Sequence, residues 1–262
     1  MKAKDVYNYL LDKSLEKWEH TCDGLIAGDA ERDIRKVGTC FKLTAELIAR
    51  AADEQIDMII THEPTFAKGD SRNCAEPIDR KKWELLDKSG IVVYRFHDHA
   101  HNCEPDYIHA GFISALGLDI AHKHPRESLG VCRYELEHPL SVRQLCRLIE
   151  QNLGIDFIRV VGDTEALIKT LCLGLGAVGF DQINKLFDPG CDVLITGEVG
   201  EVCIAEYVRD ACFFGEKKAL IILGHFSSEY AGMRLLAHQL DKQLIPTEYL
   251  HSGEVYSKIH FA

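Results

Sequence analysis

Three segments of this 262-residue chain end apolar runs in imidazoles and carboxylates. Ala219-Leu220-Ile221-Ile222-Leu223 is followed by Gly224-His225-Phe226-Ser227-Ser228-Glu229. Met58-Ile59-Ile60-Thr61 is followed by His62, Glu63 and Pro64. Ile91-Val92-Val93-Tyr94-Arg95-Phe96 is followed by His97, Asp98, His99 and His101. An apolar run stopped by Gly, Pro or a polar burst is the pattern of a buried strand. His225 and Glu229 stand four apart at the start of a helical pattern, so they share a face. They form either a metal half-site or an acid/base pair. Neutral imidazole with carboxylate suits zinc, manganese or ferrous iron. Parallel sheets place ligand sites at the carboxyl ends of strands, so three such ends could converge on one pocket.

The elements that must position these residues alternate along the chain. An amphipathic first helix carries Tyr7, Leu11, Leu15 and Trp18 on one stripe. A strand follows over Ile34 to Phe41, then a helix over Ala45 to Ala52 with Leu47, Ile48 and Ala51 inward. Next come the Met58 strand, a loop around Lys68 to Pro77, a helix over Asp79 to Asp87 and the Ile91 strand. Asp106 to Leu116 reads as helix, capped by Gly117. Ala121 to Leu129 reads as a linker. Beyond it are a strand over Val131 to Leu136, a helical stripe of Val142, Leu145, Ile149 and Leu153, strands over Phe157 to Val161 and Ile168 to Leu173, and Asp192 to Ile195 leading into Thr196-Gly197-Glu198. After Gly224 a helix carries Tyr230, Met233, Ala237 and Leu240 on one stripe. This alternation is that of an α/β protein with a mixed or parallel sheet covered on both faces.

Five segments resemble, in order, the motifs of the NIF3-like family, which also carries the label GTP cyclohydrolase 1 type 2. They are Asp23-Gly24-Leu25-Ile26-Ala27-Gly28-Asp29, Ile60 to Pro64, Tyr94 to Asn102, Thr196-Gly197-Glu198 and Gly224 to Glu229. The resemblance runs nearly end to end. It implies two α/β lobes with mixed sheets flanked by helices. Residues 1–125 and 201–262 would form a discontinuous metal-binding lobe, with 126–200 inserted as a second. It also implies a dinuclear site of two divalent transition-metal ions (Zn, Mn or Fe) held by His62, Glu63, His101, His225 and Glu229. This chain departs from the family pattern twice: Glu63 stands where a second adjacent His is frequent, and His101 where an Asp is frequent. The donor total stays at three imidazoles and two carboxylates. His97 and His99 are the alternatives to His101 as the loop ligand. The resemblance further implies a homo-oligomer, a ring-shaped hexamer, with sites facing an internal cavity.

The function expected is a metal-dependent hydrolase. Two cations would activate a bridging water against a small anionic substrate, nucleotide-like or a phosphoester, and Glu198 or His97 would move the proton. His97 could equally orient a ligand. The other readings are a metal-binding regulatory or scaffold protein without turnover and an amidohydrolase-type barrel. The barrel is disfavoured because His97-Asp98-His99 follows earlier strands instead of opening the chain. Gly174-Leu175-Gly176-Ala177-Val178-Gly179 imitates a dinucleotide-binding loop, but the acidic residue near 20 positions on, Asp192, starts a strand where it should end one. The glycines are read instead as a turn near the metal pocket. The simplest reading of the histidines is also bland: a strand-end His62, a surface pair His225–Glu229 and a solvated His97 to His101 loop.

Composition sets the bounds. The formal net charge of −11 argues against a nucleic-acid surface, which needs basic patches to displace counterions. The longest apolar runs fall far short of the roughly 20 residues that span a bilayer, and the first residues lack an apolar signal core. A cytoplasmic protein with no membrane partner is expected. Of ten cysteines, Cys40, Cys132, Cys172, Cys203 and Cys212 sit in apolar elements and read as reduced core thiols, with no Cys-x-x-Cys pair. Cys103, beside the histidines, is a candidate ligand or oxidation site. Phe213, Phe214, Tyr230 and Phe261 suit either assembly contacts or core.

Overall fold

The computed structural model describes residues 1–72, 76–125, 128–184 and 190–257. The chain divides into two compact units, Met1–Tyr107 with Gly232–Gly253, and Ile108–Ala231 with Glu254–Ala262. The expected inserted lobe, 126–200, falls within the second unit, which reaches further in both directions. The reason lies in the sheets.

The first unit opens with helix α1 (Ala3–Leu11) and strand β1 (Gly24–Ala27), then β2 (Val37–Lys42), α2 (Ala45–Asp53), β3 (Met58–Glu63), α3 (Pro77–Ser89), β4 (Val92–Arg95) and the single turn α4 (Asp98–His101). Helix α5 (Tyr107–Leu116) starts at its boundary. The second unit continues with β5 (Ile120–Lys123), β6 (Val131–Ser141), α6 (Val142–Leu153), β7 (Arg159–Val161), β8 (Leu167–Ala177), the short α7 (Phe180–Ile183), β9 (Val193–Glu198), α8 (Glu206–Phe213) and β10 (Ala219–Ile222). Helix α9 (His225–Gln243) gives residues through Ala231 to the second unit and the rest to the first, and β11 (Thr247–Tyr249) closes the first sheet.

The first sheet has the order β1-β4-β3-β2-β11. Its four strands β4, β3, β2 and β11 run parallel, and β1 is antiparallel to β4. Met58 to His62 is buried at every position, as a strand covered on both faces requires. Its core gathers Cys40, Leu43, Ile48, Ile59, Val93 and Leu250, with Phe66 stacked on Trp83. The second sheet has the order β5-β6-β8-β9-β10-β7. There β8, β9 and β10 are parallel, so the strand that delivers His225 belongs to this sheet and to this unit.

The helices form where local signals and packing agree. Thr44 Oγ1 accepts from the Leu47 N–H at the start of α2, whose Leu47, Ile48 and Ala51 are buried as expected. Pro77 opens α3, two residues before the expected start. In α6 the stripe of Val142, Leu145, Ile149 and Leu153 is buried, and Ser141 with Gln144 forms a reciprocal capping box.

Several expectations change. Helix α1 stops at Leu11, and its buried face is Ala3, Val6, Tyr7 and Leu10. Leu15 is exposed, because the chain turns at Asp12 and its Leu15 N–H bonds the Asn102 carbonyl. The expected linker after Ala121 begins inside strand β5, which pairs antiparallel with β6; its residues 126–127 lie outside the described residues. Gly174 and Gly176 lie within β8 and not in a strand-to-helix turn, and α7 after them has only four residues. Cys172 and Cys191 form a disulfide, and Cys203 is exposed, so the reading of buried reduced thiols holds for Cys40 and Cys132. Phe213 and Phe214 are exposed, while Tyr230 is buried with its hydroxyl donating to the Leu153 carbonyl; Phe261 lies outside the described residues. Among the described residues, no helix is long and apolar enough to cross a membrane.

Replacing Ser141 by Ala removes one capping acceptor and strands its partner. The expected loss is about 1 kcal/mol, which in a protein of this size lowers the melting temperature by roughly 2–4 °C. Calorimetric melting with unchanged metal content checks it.

Candidate metal centre

The first unit brings its histidines together at the carboxyl ends of β3 and β4. His62, the penultimate residue of β3, is fully buried. Its carbonyl accepts from Arg95 Nε at 3.1 Å, which ties the two strand ends. After β4, His97 and the turn α4 fold back, with the His101 N–H bonding the His97 carbonyl. The His97 ring stacks on His62 at 4.4 Å between centroids, and His101 stands edge-on to both at 5.2 Å. One nitrogen from each of these three imidazoles lies within 4.8 Å of the others, a group that could hold a metal ion. Glu63 joins it, with Oε1 3.5 Å from His97 Nε2.

Hydrogen bonds decide which nitrogen each ring can offer. His62 Nδ1 lies 3.2 Å from the Phe96 carbonyl, His97 Nδ1 2.9 Å from Asp98 Oδ1, and His101 Nδ1 3.1 Å from Asp106 Oδ2. A carbonyl or carboxylate oxygen only accepts. For His62 and His101, Nδ1 therefore carries the hydrogen and donates it, which leaves Nε2 in the acceptor role; His97 has a carboxylate near either nitrogen, Asp98 at Nδ1 and, at longer range, Glu63 at Nε2. This is how metal-bound histidines are oriented by the groups behind them. Burial holds the His97 pKa below the ordinary imidazole range, and the neighbouring His62 adds to the effect. The hydrogen bond from His97 holds the Asp98 carboxyl well below the usual carboxylate range, although burial opposes this.

His99 belongs to a different arrangement. Its Nδ1 donates to Asp23 Oδ2 at 2.7 Å, and its Nε2 accepts from the Trp18 N–H at 3.3 Å. With both nitrogens engaged, it is not a free donor. Asp23 also accepts from the backbone N–H groups of His97, Asp98 and His99. Cys103 is buried and donates its thiol to the His99 carbonyl, in keeping with a packing role.

The second unit carries its own donors. His225 opens α9 after Gly224, whose φ is +98°. Its Nε2 is 3.2 Å from Glu229 Oε2, and its Nδ1 is 3.0 Å from Glu198 Oε1. Glu229 is buried and Glu198 half-exposed. Glu198 thus stands behind His225 as Asp106 stands behind His101. Gly176 packs directly on this pair: at its φ of +74°, a Cβ would fall 2.3 Å from Glu229 Oε1 and 3.0 Å from His225 Nε2. Of the glycines in the false dinucleotide motif, Gly176 makes room for the donors.

The sequence reading did not assign Asp23, Asp98 and Asp106. Asp98 lay in plain view within the histidine burst. Asp106, five residues past His101 and two past Glu104, lies in a polar segment and gives no signal by type. Asp23 is distant in sequence, and only its place ahead of a glycine-rich strand marked it.

The NIF3 family profile, described as DUF34/NIF3 (NGG1p interacting factor 3), matches residues 1–252. A protein of Clostridium acetobutylicum named "GTP cyclohydrolase 1 type 2 homolog" is 26% identical over 254 residues, covering 93% of this chain and 91% of its own. A protein of the same name from Clostridium perfringens is 26% identical over 271 residues and is covered in full, as is this chain. A Staphylococcus aureus hypothetical protein has a similar fold, with a TM-score of 0.80 at 17% identity and 99% of each chain covered. So has a Bacillus cereus protein related to NIF3, with a TM-score of 0.76 at 14% identity over 100% of this chain and 99% of the other. Five motifs in order, two sheets of the expected kind and a profile match along nearly the whole chain leave one conclusion: this protein belongs to the DUF34/NIF3 family.

Proposed function

We propose that this protein is a metal-dependent hydrolase acting on a small anionic substrate, nucleotide-like or a phosphoester. Its two ions are held by His62, Glu63 and His101 in the first unit and by His225 and Glu229 in the second. The observation that carries this reading is the matched set of acceptors at Nδ1. His62 and His101 each place Nδ1 against an oxygen that can only accept, which turns Nε2 toward a ligand role, and His225 stands between Glu198 and Glu229. The relatives' name, GTP cyclohydrolase 1 type 2 homolog, supports a purine nucleotide as the first substrate to try.

Divalent ions bound to such donors supply charge stabilisation and a water acidified toward neutrality. The chain's residues do the rest. Asp106 and the Phe96 carbonyl fix the rings of His101 and His62. Glu198 fixes His225 and, being half-exposed, is the carboxylate placed to exchange a proton with solvent. His97, kept neutral by burial, serves as the base that accepts a proton within the cluster. The donor set suits zinc, manganese or ferrous iron. The protein would act as a homo-oligomer, a hexamer, in the cytoplasm.

Elemental mass spectrometry of protein purified without chelator should find near two equivalents of transition metal per chain, falling sharply in His225→Ala. Metal-loaded protein should turn over a member of a nucleotide and phosphoester panel and lose that activity in Glu229→Gln. Metal bound without any turnover across the panel would instead support a regulatory or scaffold protein. Asp106→Ala, which frees the His101 ring, should weaken metal binding about 10–100-fold in competition with a chromophoric chelator.

Acidification should release the metal, because the imidazoles bind only when deprotonated. The lowered pKa of His97 sets the sign. Its contribution to folding is complete above the ordinary imidazole value of about 6.5. It is lost as the pH falls through the lower folded value. The melting temperature of chelator-stripped protein at successive pH values should therefore hold from pH 8 to about 6.5 and fall below that.

A further inference from the structure

The first unit contains a second concave feature, whose lining does not include the histidines. A cleft of about 720 Å³ lies beside the start of α2, with α3 along one wall. That volume is in the range of small-molecule sites. Its apolar surface comes from Ala67, Ile78 and Leu85. Its charge comes from four lysines, Lys42, Lys81, Lys82 and Lys88, against Asp79 and Glu84. A chain of net charge −11 has thus gathered a cationic excess around one cleft.

The two innermost lysines are held in place but not neutralised. Lys82 Nζ donates to the carbonyls of Leu43 and Thr65, and Lys42 Nζ donates to the carbonyl of Pro64. An ammonium carries three donors, so N–H capacity remains on both. Among the described residues, no carboxylate pairs with either. Asp79 is buried, with Oδ2 accepting from the Ala67 N–H at 3.1 Å. Burial pulls the Lys82 amine down to about 8 and lowers that of Lys42. Lys82 Nζ also lies 5.4 Å from the Phe66 ring centroid; a partly desolvated ammonium with no carboxylate partner is stabilised when an anion arrives.

Two further observations point to the same ligand. Thr65 lines the cleft and is only 1% exposed, yet its hydroxyl has no hydrogen-bond partner. A buried hydroxyl left without a partner costs free energy, which an oxygen of a ligand would recover. Thr44 and Ala45, at the N-terminus of the nine-residue helix α2, also face the cleft. The positive end of that helix favours an anion there.

We propose that this cleft binds a small organic anion, with a phosphate or carboxylate head at Lys42, Lys82 and Thr65 and an apolar body against Ile78 and Leu85. The cleft's lining does not include the histidines, although Lys42 pairs in register with Glu63, and its existence does not depend on the metal-dependent reading.

Isothermal titration calorimetry on full-length, chelator-stripped protein tests it with phenyl phosphate, benzoate and inorganic phosphate as probes. Phenyl phosphate should bind at millimolar concentrations or below, more tightly than inorganic phosphate. Its affinity relative to benzoate shows which head group the lysines prefer. Lys82→Met should weaken binding about tenfold or more. Ile78→Asp, at an exposed position, should weaken phenyl phosphate more than inorganic phosphate. If Lys82→Met does not fold, the exposed double variant Lys81→Glu with Lys88→Glu should give the loss instead. The proposal is overturned if stripped protein binds neither organic probe at about 10 mM, if the folded variants bind unchanged, or if binding appears only after metal is restored. The last result would place the anion at the histidines and leave the metal reading intact.

Discussion

The tautomer of each imidazole is the constraint on which this arrangement depends. A histidine can present a lone pair from either nitrogen, and a free ring on a loop exchanges between the two. Here each Nδ1 faces an oxygen that cannot donate: a main-chain carbonyl for His62 and a carboxylate for His97, His101 and His225. The same device recurs in both units with different elements behind it. The acceptors come from a strand end, from the turn itself, from the start of a helix and from a second strand end.

Parallel strands make the device possible. In each unit the donors stand where parallel strands stop, so backbone pairing sets their height and the loops need only complete the circle. The register of β3 beside β4 pairs Thr61 with Arg95, which puts His62 and the chain leading to His97 level. The Arg95 side chain reaching the His62 carbonyl locks that level further. In the second unit β9 and β10 pair Thr196 with Ile222, which brings Glu198 and His225 to one end of the sheet. The glycine at 176 then matters for its lack of a side chain.

The strand ends were readable because unbroken apolar runs advertise buried parallel strands, and His62, His97, His101 and His225 follow from that. The α6 stripe and the α2 face were readable from their spacing. His99 was not separable from its neighbours, because three histidines in five residues look alike until the partners are known. Asp23 and the Trp18 backbone, some 80 positions away in sequence, decide its role. The end of α1 was misjudged because Leu11 and Leu15 continue a helical spacing, while the competing main-chain bond to Asn102 is tertiary. The same holds for Cys172 and Cys191, 19 residues apart, where no local pattern marks the pair. Thr65 and Lys82 were passed over because an ordinary threonine and one lysine among many carry no motif.

Asp23 bears on how such a site can change. Its carboxylate, with a fully buried side chain, takes the N–H groups of three successive residues in the histidine turn. The path of that turn is thereby fixed by main-chain bonds to a distant acid, with the side chains of Asp98 and His99 adding to them, and none of these bonds uses the side chain at 101. Position and chemistry are decoupled. A donor at 101 could pass between carboxylate and imidazole without the loop losing its course, and so the metal preference of such a centre could drift while its architecture stayed still.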